Sequence, residues 1–139
     1  MALTYQRSFI SYELASDFVK AALDYAIKAN ISVSIAVVDP VGDLIAFARM
    51  DDSCVIGVKL AQSKAYTAAR SGLSTAEFAE YLSTNSIPLE SLRQENLALI
   101  QGGLPIMHNN QVIGGIGISG DTGQAEELCA HAALAILTS

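Results

Sequence analysis

The chain has 139 residues, of which 51% are hydrophobic and 16% charged, and its formal net charge is −6. That length suits a single α/β domain over residues 1–139 with its own core, and the acidic balance argues against nucleic acid, whose phosphates need a clustered cationic face. The longest apolar runs, such as Ile35–Val38 and Leu97–Ile100, fall far short of the roughly 20 residues of a membrane-spanning helix, so no membrane partner is expected.

The apolar excess, much of it Ala, is better absorbed by a homo-oligomer. The start, MALTYQRSFISYEL, lacks a basic region followed by an unbroken apolar stretch, which predicts a cytoplasmic chain without a secretory signal. Ser11 to Asn30 then places Leu14, Ala15, Phe18, Val19, Ala22, Leu23, Ala26 and Ile27 at helical spacing. Ser11 is the expected N-cap and Asn30 the left-handed stop.

Val33–Asp39 and Asp43–Met50 read as two strands joined by Pro40-Val41-Gly42, an antiparallel hairpin. The first is apolar on both faces, which predicts a central strand covered on both sides. From Val55 to Ser71 the residues Ala61, Ala65, Ala68 and Ala69 share a helical face, and Gly72 ends the pattern. Ser74 and Glu77 form a capping box for a helix to about Leu82, and Thr84 to Leu92 reads as a loop.

Leu97–Ile100 is the next expected strand, followed by a hairpin whose turn is Asn109-Asn110, residues that tolerate positive φ. Asp121 is the expected N-cap of a last helix running to about Leu137. This order predicts an α+β fold, an antiparallel sheet of about five strands with helices packed on it.

The Gly114 to Gly123 segment joins a strand to a helix start, where free N–H groups favour anions. Its spacing matches neither the dinucleotide fingerprint nor a Walker loop. Glycines inside a strand mark close approach, either of a packed element or subunit or of a ligand.

Arg49 can clamp a carboxylate ligand, or pair internally with Asp51, Asp52 or Asp39. Lys64 can meet a ligand carboxylate or snorkel to solvent. The cysteines, Cys54 and Cys129, lie outside any C-x-x-C spacing; a reduced pair fits a cytoplasmic chain, a disulfide is the other reading, and Cys129 suits a small buried hydrophobe. His108, His131 and the carboxylates show no zinc-ligand spacing, and Ser119 has no base partner for a hydrolytic triad.

The segments VVDPVGDLIAFARMDD, KLAQSKAYTAA and GGLPIMHNNQVIGGIGISGDTGQAEE resemble the GlcG/HbpS-like haem-degrading or haem-binding family, which also includes the C-terminal domain of PduO-type corrinoid adenosyltransferases. The matching motifs are Asp39 and Gly42 in the first turn, Phe47, Arg49, Met50 and Asp51 at the strand end, Lys64 to Ala69, Gly102 to Pro105 and Gly114 to Gly120. The resemblance implies a profilin-like fold, assembly into higher oligomers and, for some members, haem binding or degradation.

Two departures stand out. The first helix has no His, where a haem-binding relative carries its iron ligand. After the Gly-rich strand, relatives often read S-G-G-x-x-x-Q-D; this chain is read with Asp121 for the second Gly and Ala125 for the Asp, which predicts that the last helix lacks that carboxylate.

The expected ligand is haem or a related planar carboxylated cofactor. Its pocket would be shared between subunits and built from Arg49, Lys64, Gly102, Gly103, Pro105, Gly117, Ser119 and Gly120, with His131 as the candidate iron ligand if it lines a subunit interface. The alternatives are an enzyme for a small organic acid, with Asp39 or Asp121 moving a proton, and a ligand-free accessory scaffold of glycolate or diol metabolism.

Overall fold

The structure, a computed structural model, describes residues 1–137. Helix α1 (Tyr12–Lys28) leads to strands β1 (Ser34–Val38) and β2 (Leu44–Arg49), then helices α2 (Gly57–Ser71) and α3 (Thr75–Thr84). A 3-10 turn at Leu89–Leu92 precedes strands β3 (Gly103–His108) and β4 (Gln111–Ser119), helix α4 (Gly123–Leu134) and a closing 3-10 turn at Ala135–Leu137.

Local side-chain chemistry sets most of these boundaries. Ser11 caps α1 by accepting from the Leu14 amide, and Asn30 follows it at φ 57°. Gly72 closes α2 at φ 72°. Ser74 and Glu77 form the expected capping box on α3. Removing its hydroxyl, as in Ser74→Ala, is expected to cost about 1 kcal/mol, read from the urea midpoint.

Asn109 and Asn110 adopt φ 51° and 62°, the paired positive values of a two-residue hairpin turn whose twist matches its strands. The turn between β1 and β2 is held by Asp39, whose buried carboxylate accepts from the Val41 and Asp43 amides at 2.9 and 3.1 Å.

Among the described residues the sheet has four strands in the order β2-β1-β4-β3, all neighbours antiparallel. The expected fifth strand, Leu97–Ile100, does not form. Its Ala98 amide donates to Thr67 Oγ1 on α2 at 2.8 Å, so this segment ties to a helix instead of extending a ladder.

β1 is central and buried along its whole length. Ile35, Val37, Ile116 and Ile118 belong to the large core with Phe18 of α1 and Ala130 of α4, while Ala36 and Val38 pack with Ala61, Ala65 and Ala69 of α2. Helices therefore cover both faces.

The glycines of β4 explain how closely α2 lies. A methyl on Gly117 would stand 2.0 Å from the Ala61 carbonyl oxygen, and one on Gly115 would stand 2.3 Å from that of Ala65. Two turns of the Ala-lined helix thus rest on backbone. One turn further toward the helix start, Gly57 meets the carbonyl and Cβ of Ser119.

Between α1 and α4, Cys129 is buried and its thiol donates to the Ala22 carbonyl at 3.4 Å. Burial pushes this thiol up to about 12, so it packs as a neutral hydrophobe. Cys54 is exposed and both cysteines are free, as the reduced reading expects. Among the described residues no helix is long and apolar enough to cross a membrane.

Candidate functional site

Where β4 ends against the start of α2, a cleft of about 350 Å³ opens between Cys54, Ile56 and Leu60 on one side and Ser119, Gly120, Asp121 and Gly123 on the other. Ile100 and Gln101 close a third side, and Lys64 and Glu126 form its base. The volume lies at the lower end of small-molecule sites.

Lys64 is 1% exposed. Its ammonium lies 2.9 Å from Glu126 Oε1 and donates to the Ile118 carbonyl at 2.9 Å. Neither sequence expectation for Lys64, solvent or a ligand carboxylate, describes this: the cation is committed to a side chain 62 residues away. The second carboxylate oxygen of Glu126 accepts from the Gly120 and Asp121 amides at 2.8 and 3.1 Å. One internal ion pair therefore joins α2, the end of β4 and the first turn of α4.

Glu126 is also the carboxylate expected to be missing. Counted from Ser119, the last position of the S-G-G-x-x-x-Q-D pattern falls on Glu126, with Ala125 in place of the Gln. Asp121 does not cap α4. Thr122 does, accepting from the Ala125 amide, while Asp121 turns back to the Thr122 amide. Gly120, at φ 140°, is what lets the chain turn from strand to helix here.

Ser119 is 4% exposed, faces the cleft, and its hydroxyl has no partner among the described residues. Register puts Ser34 beside it, fully buried and with its Oγ likewise unpartnered. Arg49 lies opposite Ser34 on the other side. All three positions therefore share the α2 face of the sheet, with Arg49 and Ser119 roughly 10 Å apart at two strand spacings.

Arg49 is exposed and makes no ion pair with Asp39, Asp51 or Asp52. Asp39 sits beyond the opposite end of β1, locked in its turn. It neither pairs with Arg49 nor is placed to move a ligand's proton.

The remaining expected site residues separate. Ser119, Gly120 and Lys64 line the cleft. Gly102 and Gly103 pack behind Lys64: a methyl on Gly102 would lie 2.8 Å from Nζ, and one on Gly103 would lie 2.6 Å from the Lys64 carbonyl oxygen. Gly117 is taken up by α2, and Pro105 of β3 pairs with Gly115 of β4.

His131 is exposed on α4, and neither it nor His108 lines the cleft. No cluster of His, Cys, Asp and Glu suited to a metal ion occurs among the described residues. Cys54, Ile56, Leu60 and Ile100 were not among the expected site residues. Nothing local marks them; the fold brings Ile100 to the start of α2.

A family model described as haem degrading protein HbpS-like matches residues 10–135. Protein GlcG of Escherichia coli strain K12 is 37% identical over 110 residues, covering 79% of this chain and 81% of GlcG. The crystal structure of Klebsiella pneumoniae protein ORFY superposes with a TM-score of 0.92 at 28% identity, over 100% of this chain and 97% of that one. The crystal structure of a PduOC:heme complex superposes with a TM-score of 0.83 at 27% identity, over 91% and 94% of the two chains.

Proposed function

The chain belongs to the HbpS-like haem-degrading protein family, and on that premise we propose that it binds haem, or a related planar carboxylated cofactor, in the cleft between the start of α2 and Gly120. The observation that carries the reading is an apolar rim, Ile56, Leu60 and Ile100, around Ser119, whose hydroxyl makes no hydrogen bond to the protein. An apolar wall with a few placed polar groups is what a flat cofactor needs. The heme complex of a relative with the same fold supports the choice of ligand.

The parts have distinct tasks. Ile56 and Ile100, 71% and 53% exposed, offer apolar surface to a ring. Arg49, on the same sheet face and unpaired, is free to take a carboxylate. Lys64 and Glu126 hold the cleft's two walls together and keep its base electrically neutral. Bound haem would supply the redox chemistry through its iron, while the protein positions it.

A cleft of about 350 Å³ covers only part of such a ligand. The reading therefore includes a second copy of this chain closing the site, with the assembly placed in the cytoplasm. The exposed Leu3, Tyr5, Phe9 and Tyr12 offer further apolar surface for that assembly.

Titrating the protein at micromolar concentration with hemin should give a saturable Soret shift. Ile100→Glu, which places a charge on the apolar rim, should weaken binding at least tenfold, about 1.4 kcal/mol. A titration with no saturable shift in the unmodified protein overturns the proposal.

A further inference from the structure

We infer that residues 97–101, which carry the third side of the cleft, form a strap that swings open about Gly102, widening the cleft and uncovering the Lys64–Glu126 pair at its base. The inference goes beyond the question of which ligand enters and stands on the geometry of the strap alone.

The strap belongs to no helix or strand. Among the described residues, the backbones of Leu99, Ile100 and Gln101 make no hydrogen bond. Two side chains tie it down instead. The Ala98 amide donates to Thr67 Oγ1 on α2 at 2.8 Å, and Gln101 Nε2 donates to Glu127 Oε2 on α4. The strap therefore bridges the same two helices that the Lys64–Glu126 pair joins beneath it. The chain before it is held to α2 by exposed contacts, Asn96 to Ser63 at 3.1 Å and Glu95 to Arg70 at 3.8 Å. Segments held by a few such bonds open at lower free energy than the core.

The hinge is marked by its backbone. Gly102 stands at φ 130°, where a residue with a side chain is strained. The next amide, that of Gly103, donates to Thr75 Oγ1 at 3.0 Å, which pins the start of β3 and stops the motion there. Gly102 is also what closes over the ion pair: a methyl on it would lie 2.8 Å from Lys64 Nζ and 3.1 Å from Glu126 Oε1. At the other side of the cleft, a methyl on Gly123 would lie 2.9 Å from Gln101 Cβ, so the strap's end rests on the first turn of α4. Closed, the strap leaves about 350 Å³. Open, it admits a larger ligand and turns the exposed, apolar Ile100 toward it.

The test is native-state hydrogen exchange of the full chain at rising urea below the unfolding transition, together with acetylation of Lys64 by acetic anhydride, read by mass spectrometry. The unmodified chain is compared with Gln101→Ala and Glu127→Ala, which remove one tie from either side. The Ala98 amide should exchange through an opening that urea barely changes, while the Val37 amide in the buried centre of the sheet exchanges only with global unfolding. Each variant should speed Ala98 exchange and Lys64 acetylation about tenfold, the loss expected of one hydrogen bond. Val37 exchange and acetylation of the exposed Lys59 should stay as in the unmodified chain.

Ala98 exchange with the urea dependence of Val37 would mean that the strap opens only when the whole chain unfolds, and would overturn the inference. Lys64 acetylation within about twofold of the unmodified chain in both variants would overturn it as well. Neither measurement uses hemin, so a chain that binds no haem can pass this test and a rigid strap can accompany haem binding; the two readings fail separately.

Discussion

Lys64→Ala is expected to destabilise the fold by about 3–5 kcal/mol, because it leaves the Glu126 carboxylate buried without its counter-charge. The two side chains are 1% and 6% exposed at 2.9 Å, so water cannot replace the missing partner. Glu126→Ala should cost at least as much. It strands the ammonium and also frees the Gly120 and Asp121 amides that the carboxylate satisfies.

Lys64→Met with Glu126→Gln removes both charges together and keeps an acceptor near those amides. Its loss should be smaller than the sum of the two single changes, as expected for coupled neighbours. Urea unfolding of the four proteins measures this. Single variants within 1 kcal/mol of the unmodified chain would mean that the pair does not hold the cleft's walls together.

The second large effect is Gly117→Ala. The added methyl would meet the Ala61 carbonyl oxygen at 2.0 Å and the Ala65 amide nitrogen at 2.6 Å. Both are backbone atoms of α2 and cannot swing aside as a flexible side chain would. The helix must lift from the sheet, at a cost at or beyond the usual 1–3 kcal/mol of overpacking. At roughly 2–8 °C per kcal/mol for domains near this size, melting should fall by on the order of 10 °C. A variant that melts with the parent would contradict the close contact of α2 and β4.

That contact also decides what the glycine-rich segment means. In the sequence its glycines left packing and a ligand platform both open. In the structure Gly115 and Gly117 serve the packing of α2, and the surface available to a ligand begins at Ser119 and Gly120. A strand cannot announce which helix will lie on it, so the choice needed the tertiary structure.

Features written in adjacent residues were legible. The Ser11 cap, the Ser74–Glu77 box, the left-handed Gly72 and the Asn109-Asn110 turn each depend on side chains within a few positions. Competition between neighbours was harder: Thr122 and Asp121 can both cap α4, and Asp121 turned back to the Thr122 amide. Leu97–Ile100 has a strand's composition, but a strand also needs a free sheet edge, and the Thr67 hydroxyl takes its Ala98 amide first.

The site was legible in part. Ser119, Gly120 and Lys64 were picked out and do converge, but Lys64 arrives already paired with Glu126, a partner that no spacing rule links to it. Arg49 was singled out for its charge, yet register leaves it two strands from Ser119. Cys54 and the apolar rim carry no local signal of a site, since a free cysteine and scattered isoleucines look the same on any surface until the fold faces them toward one cleft.

The most direct test of the cleft as the haem site is the amide spectrum of isotopically labelled protein with substoichiometric hemin, whose paramagnetic iron broadens the signals of nearby residues. Broadening centred on Cys54, Ile56, Leu60, Ile100, Ser119 and Gly120 is the predicted result. Broadening centred on His131 and the outer face of α4, with the cleft signals unchanged, would contradict it.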